Sequence, residues 1–138
     1  MLAKTYVLQD DSHTVAYVSL LTDKIAQTSV PKNLWRRLRK SIPHEKHFNS
    51  YPAVKIGRLA VSLQNKGEGI GSRIIEAMKI KLAVSPAQIA ACRFLTIDAY
   101  HKAVPFYEKN NFRLLTNDVP EDAPTVPMYF DLMTIAEQ

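Results

Sequence analysis

The chain has 138 residues, 46% of them apolar and 22% charged, with a formal net charge of +5. That length holds one compact domain with a single core and is short for two. No apolar stretch approaches the roughly 18–20 residues that cross a bilayer, no secretory apolar core follows Met1, and the lone Cys92 excludes an internal disulfide framework, so a cytoplasmic protein is expected.

Residues 4–9 and 14–22 are rich in β-formers and flank the polar stretch 10–13, which predicts an antiparallel hairpin. Residues 31–41 open on Pro31 at a first helical position and carry Leu34, Trp35 and Leu38 at helical spacing. This segment and the loop after it gather Lys32, Arg36, Arg37, Arg39, Lys40 and Lys46 against Glu45 alone. Such a run suits either a solvated helix face or a surface for an anionic ligand or nucleic acid. Residues 53–61 read as a central strand. A helix over 71–85 follows, with Ile70, Ile74, Ile75, Met78 and Leu82 along one face and Pro86 at its end. Residues 92–100 form a buried type of strand, and 102–110 a short helix with Pro105 in its first turn. Strands at 112–115 and 127–133 close the chain around a proline-rich loop, 116–127. The order β-β-α-β-α-β-α-β-β indicates an α/β domain, a mixed sheet with helices packed on it.

Three of the four glycines, Gly67, Gly69 and Gly71, lie between the strand and helix of residues 53–85. Strand, glycine-rich turn and helix together make a phosphate-binding arrangement. The glycines let backbone approach a ligand, and the first helical N–H groups have no internal partner and sit at the positive end of the helix dipole. Lys66 adds a full charge. No Gly-Lys-Ser/Thr follows, so a P-loop is excluded. The Gly-x-Gly-x-Gly spacing and the distant Asp98 match a dinucleotide fingerprint poorly.

The loop Gln64-Asn65-Lys66-Gly67-Glu68-Gly69, after Leu59-Ala60-Val61, resembles the acyl-CoA pyrophosphate loop of the Gcn5-related N-acetyltransferase (GNAT) superfamily, continued by Ile70, Gly71 and Ser72. A second segment, residues 97–112, is similar to the later strand-helix-strand signature of that superfamily, through Ala103, Phe106, Tyr107, Glu108, Lys109 and Phe112. Together with the strand order, the resemblance runs from residue 4 onward. Asn111 stands where the family has a glycine, and is a residue that still enters the left-handed region. Tyr100 or His101 stands where the family has a pantetheine-binding asparagine. The strand and two helices that precede the hairpin in the family are expected to be missing, leaving a single acetyltransferase domain over 1–138.

The resemblance implies a mostly antiparallel GNAT-type sheet with helices on both faces and two central parallel strands that splay apart around the pantetheine. It implies direct transfer of acetyl from acetyl-CoA to a primary amine, without a metal. Leu59 and Val61 would hold the pantetheine, and the backbone of Leu59 or Ala60 would supply an oxyanion donor. The amides of Lys66, Gly67, Gly69, Ile70, Gly71 and Ser72 would hold the pyrophosphate. Tyr107 is either a core aromatic or the general acid for the departing thiolate. His44, His47, His101 and Glu68 are candidate bases by chemistry alone. His44-x-x-His47 lacks a third ligand at metal spacing, and Cys92 reads as a small buried residue.

The runs KIGRLAV, FYEK-NF and PMYFDLM are also similar to the toxin branch of the superfamily that acetylates the amino acid on charged tRNA. Arg36, Arg37, Arg39 and Lys40 would then meet tRNA phosphates, with Trp35 either stacking or in the core. An antitoxin partner and a homodimer belong to the same expectation. A non-catalytic acyl-CoA-binding regulatory module is the alternative from a different functional class.

Overall fold

A computed structural model describes residues 3–40, 48–84 and 92–136. Its strands are β1 (Lys4–Gln9), β2 (Thr14–Ala26), β3 (Ser50–Val61), β4 (Phe94–Tyr100), β5 (Arg113–Leu114) and β6 (Thr125–Asp131). The helices are α1 (Lys32–Lys40), α2 (Ile70–Val84), α3 (Val104–Lys109) and the single turn α4 (Met133–Ala136). The six strands form one sheet in the order β1-β2-β3-β4-β6-β5. Every neighbouring pair is antiparallel except β3 and β4, which are parallel.

Alternation along the strands sends side chains to two faces. Leu95, Ile97 and Ala99 of β4 join Ile56, Met128 and Phe130 in a core covered by Ile75, Met78 and Leu82 of α2 and Tyr107 of α3. Phe94 joins Ile25, Tyr51, Ala53 and Tyr129 on the opposite face, under Leu34, Trp35 and Leu38 of α1. Helices therefore cover both faces, as the resemblance implied. No helix among the described residues is long and apolar enough to cross a membrane.

Several elements differ from the sequence reading in extent. β2 runs to Ala26 instead of 22 and β3 starts at Ser50 instead of 53, because Asp23, Lys24, Ile25 and Ala26 pair with Ala53, Pro52, Tyr51 and Ser50 below the α1 contact. β6 ends at Asp131 instead of 133. There the Asp131 carboxylate accepts a hydrogen bond from the Met133 amide (3.0 Å) and turns the chain into α4. Pro31 lies just before the first helical residue, its carbonyl accepting from the Trp35 amide (3.0 Å).

Candidate active site

The parallel pair supplies the central feature. β3 and β4 are in register from Ala53 and Phe94 to Ile56 and Ile97, and no further. Beyond that point β3 stays on β2 through Val61, while β4 stays on β6 through Tyr100. The two strands thus part into a gap. A bulge marks its apex: Ser19 pairs with Arg58 but Leu20 with Ile56, which leaves Gly57 as the extra residue. A Leu21 methyl carbon lies 2.8 Å from where a Gly57 β-carbon would stand, so that side chain folds over the bulge.

The exposed edge of β3 has a defined polarity. The Ser62 amide donates to the Val15 carbonyl (2.7 Å), on the β2 side. By strand alternation the backbone of Ala60 also faces β2, while the amide and carbonyl groups of Leu59 and Val61 face the gap. Of the two oxyanion donors named from sequence, this geometry favours the amide of Leu59 over that of Ala60.

β3 leads through a 3-10 turn, Leu63–Asn65, to the glycine loop and α2. Gly67 and Gly69 have φ of +87° and +75°, the left-handed region that costs a residue with a β-carbon about 1–2 kcal/mol. Gly69 caps α2, its carbonyl accepting from the Arg73 amide (3.1 Å). Among the described residues the amides of Gly67, Gly69, Ile70, Gly71 and Ser72 have no hydrogen-bond acceptor. The Lys66 amide differs from its neighbours, donating to the Leu63 carbonyl at 3.4 Å as the 3-10 turn closes. Asn65 braces the loop: its side-chain carbonyl meets His13 Nε2 at 3.1 Å, and its amide nitrogen donates to Glu68 at 3.4 Å.

Tyr107 is buried on α3, edge-on to Phe106 (5.0 Å between ring centroids) and Phe112 (5.5 Å). Its hydroxyl has no hydrogen-bond partner among the described residues, and burial pushes its pKa up, so the phenol is protonated at neutral pH. α3 ends in a Schellman motif. The Phe112 amide donates to the Tyr107 carbonyl (3.0 Å) and the Asn111 amide to the Glu108 carbonyl (2.9 Å). Asn111 takes φ +67°, the left-handed exit expected of it. The motif also folds Phe112 back onto the Tyr107 ring.

On the opposite face, just below the gap, lies a polar network. Lys55 donates to Asp98 at 2.9 Å and stands 3.7 Å from Asp23, which accepts from the Thr96 hydroxyl at 2.7 Å. Burial lowers the Lys55 pKa, but the hydrogen bond to Asp98 and the charges of Asp23 and Asp98 outweigh it and hold the pKa up. Asp98 is 49% exposed and begins the part of β4 that pairs with β6 but no longer with β3. The sequence offers this carboxylate only as a poor dinucleotide-fingerprint match, because the register of β3 on β4 is what brings it to the gap.

The remaining candidates separate cleanly. Trp35 is 5% exposed and stacks on Tyr51 at 4.9 Å, so it is a core residue and not a free stacking platform. Arg36, Arg37 and Lys40 are exposed on α1, whereas Arg39 is half-buried and has a partner. His101 Nε2 is engaged by the Ala123 carbonyl at 2.6 Å, and Glu68 sits on the glycine loop. The Cys92 thiol donates to the Phe94 carbonyl (3.2 Å) and burial pushes its pKa up. His44, Glu45, Lys46 and His47 lie outside the described residues.

No curated protein matches the sequence. Among solved structures, AtaT complexed with acetyl-methionyl-tRNAfMet aligns with a TM-score of 0.71 at 23% identity, over 97% of this chain and 74% of that one. A tyrosine-to-phenylalanine mutant of KacT aligns with a TM-score of 0.69 at 22% identity, over 99% and 75%. AtaTR bound with AcCoA aligns with a TM-score of 0.66 at 23% identity, over 97% and 73%. At these identities the likeness is one of fold. The splayed sheet, the glycine loop and the match of residues 41–132 to the family model described as "Acetyltransferase (GNAT) domain" agree, and the chain belongs to the GNAT acetyltransferase family.

Proposed function

We propose that this acetyltransferase moves the acetyl group of acetyl-CoA to a primary amine, and that the amine is the α-amino group of an aminoacyl-tRNA. The observation that carries the donor half is the gap between β3 and β4, continued by the run of unpartnered amides at the start of α2. Leu59 and Val61 offer a free strand edge to an amide-containing arm, and Gly67, Gly69, Ile70, Gly71 and Ser72 offer N–H groups to a pyrophosphate. Lys66 contributes side-chain charge. These groups fit acetyl-CoA, with which AtaTR has been solved.

In the reaction the neutral amine attacks the thioester carbonyl carbon, and the developing oxyanion meets the amide of Leu59. The C–S bond then breaks, and the thiolate takes the proton of Tyr107. The raised pKa of Tyr107 suits it to hold that proton until the thiolate forms. The proton lost by the attacking nitrogen leaves toward the Asp98 side, through water.

The tRNA half rests on the position of α1. α2 and α3 occupy one face of the sheet, so the acceptor has the opposite face, where α1 lies. α1 covers Ala53, and Gly57 is four residues further along β3, on the order of 13 Å. A small amine in the gap would not touch α1, whereas a polynucleotide carrying the amine at one end would lie across Arg36, Arg37 and Lys40. Arg113 of β5, register partner of Tyr129 on the α1 face, extends that basic surface. AtaT solved with acetyl-methionyl-tRNAfMet supports the same acceptor. An antitoxin partner follows by the same likeness, since AtaT has been solved bound to the C-terminus of the antitoxin AtaR.

The test is transfer of radiolabelled acetyl from acetyl-CoA to tRNA charged with single amino acids, beside a panel of free amines. Label appearing on charged tRNA is expected, with Arg36→Ala plus Arg37→Ala lowering the slope of log affinity against log salt by about 1–2. Acetylation of small amines by a protein that has no affinity for tRNA would replace the acceptor. Acetyl-CoA binding with no turnover on any amine would favour a regulatory module.

A further inference from the structure

We propose that Lys79 is a positioning residue for Tyr107: its ammonium locks the turn that ends α3 and so sets where the phenol stands against the gap. The inference rests on the acetyltransferase reading above.

Lys79 lies on the inner side of α2 and is 1% exposed. A lysine at such a site is costly unless its charge is used, and an apolar residue of the same volume would pack among the same rings at lower cost. Its ammonium sits 3.8 Å from the centre of the Phe130 ring and 5.4 Å from that of Phe112, with Glu76 4.0 Å away. Its hydrogen bond goes to the backbone carbonyl of Asn110. That carbonyl belongs to the residue capping α3, at the negative end of the helix, where a cation is favoured and an unbonded carbonyl would otherwise remain.

Asn110 is tied from its other side as well. Its side-chain amide donates to the Ser72 hydroxyl (3.2 Å) and to the Phe106 carbonyl (2.9 Å), and its backbone amide to the carbonyls of Phe106 (3.2 Å) and Tyr107 (3.1 Å). α2 therefore grips the end of α3 at two points two turns apart, Ser72 and Lys79. Ser72 stands among the amides assigned to the pyrophosphate. Lys79 secures the turn that carries Phe112 onto Tyr107. One helix links the donor-binding loop to the acid, and removing the lysine loosens the acid without touching the donor.

Three measurements on Lys79→Met test this: steady-state thiol release from acetyl-CoA with the amine that the wild type acetylates, calorimetric affinity for acetyl-CoA, and hydrogen exchange of the amides of 110–112. kcat is expected to fall about 10- to 100-fold while the affinity for acetyl-CoA stays within about threefold. The Asn111 and Phe112 amides should exchange at least about tenfold faster. Lys79→Gln, which keeps an N–H donor, should restore part of the loss. Combined with Tyr107→Phe, Lys79→Met should cost little more than Tyr107→Phe alone, because both act on one step.

Unchanged exchange together with unchanged kcat would overturn the proposal. Losses that multiply in the double variant would do the same, since Lys79 would then act by another route. Failure of both Lys79→Met and Lys79→Gln to fold would show that the lysine serves the core and nothing finer. A wild type that turns over no amine would refute the function proposed above, while the exchange measurement would still judge whether Lys79 holds the turn.

Discussion

Ile56 and Ile97 are the last register partners of the parallel strands, and the residues that follow, Gly57 and Asp98, already stand on separating edges. The separation is stable because each strand keeps its outer neighbour: β3 remains on β2 and β4 on β6. What is left is a pair of backbone edges whose polar groups must be satisfied by a ligand or by water. A buried backbone group left unbonded costs about 1–3 kcal/mol, so a ligand that supplies matching amides recovers that cost.

Proline substitution should tell the two edges of β3 apart. Val61→Pro removes an N–H that faces the gap, so it should weaken acetyl-CoA binding about 5- to 10-fold and leave the ladder to β2 intact. Ala60→Pro removes an N–H that faces β2. It should lower the melting temperature by several degrees, at about 3–4 °C per kcal/mol in a domain of this size. Calorimetry and thermal melts on the two variants check this, and equal effects on both would contradict the assigned polarity.

The glycine loop should matter only for ligands that carry the pyrophosphate. Gly67→Ala and Gly69→Ala force a β-carbon into positive φ, a strain of about 1–2 kcal/mol that the loop relieves by moving its amides. KM for acetyl-CoA should rise about tenfold in each variant, whereas KM for acetyl-pantetheine, which lacks the pyrophosphate, should hardly change. A parallel rise for both donors would place the pyrophosphate elsewhere.

Tyr107→Phe should lower kcat about 10²- to 10⁴-fold with little change in acetyl-CoA affinity. The pH dependence has a definite sign. An acid works in its protonated form, which persists below its pKa, and burial raises that pKa above the ordinary tyrosine value of about 10. Wild-type kcat should therefore hold through neutral pH and fall only as pH climbs past that raised value. The variant's residual rate should lose this alkaline limb; a limb that persists unchanged in Tyr107→Phe would assign the titration to another group.

Asn111 offers a test of folding that is separate from chemistry. At φ +67° the residue is better served by glycine and worse by a β-branched side chain. Asn111→Gly should leave stability unchanged or raise it by up to about 1 kcal/mol, and Asn111→Val should cost about 1–2 kcal/mol or more. Urea denaturation measures both. Stabilisation by valine would contradict the Schellman geometry.

The elements with strong local signals were legible in the sequence. The apolar stripe of Ile75, Met78 and Leu82 makes α2, and the β-formers of 53–61 make β3, because periodicity is a property of the chain itself. Strand ends were less legible. β2 extends to Ala26 through Lys24, a poor β-former that pairs with Pro52 only because its neighbours Asp23 and Ile25 pair as well. Trp35 illustrates the limit for side chains, since its place on α1 is visible in the helical spacing but its stack on Tyr51 joins two distant segments.

By itself the sequence determined the glycine loop, the helix it caps and the tyrosine on α3, since each depends on residue types within a few positions of one another. The tertiary structure decided the rest. The gap exists because β3 and β4 pair for four residues and then follow different neighbours. Asp98 reaches that gap through strand register, Lys79 is buried by the rings of β6 and the chain after α3, and Arg113 joins α1 by facing the same side of the sheet. Each of these follows from pairing between segments far apart in the chain. No local pattern encodes such pairing, because the energy that selects it comes from burying whole faces together.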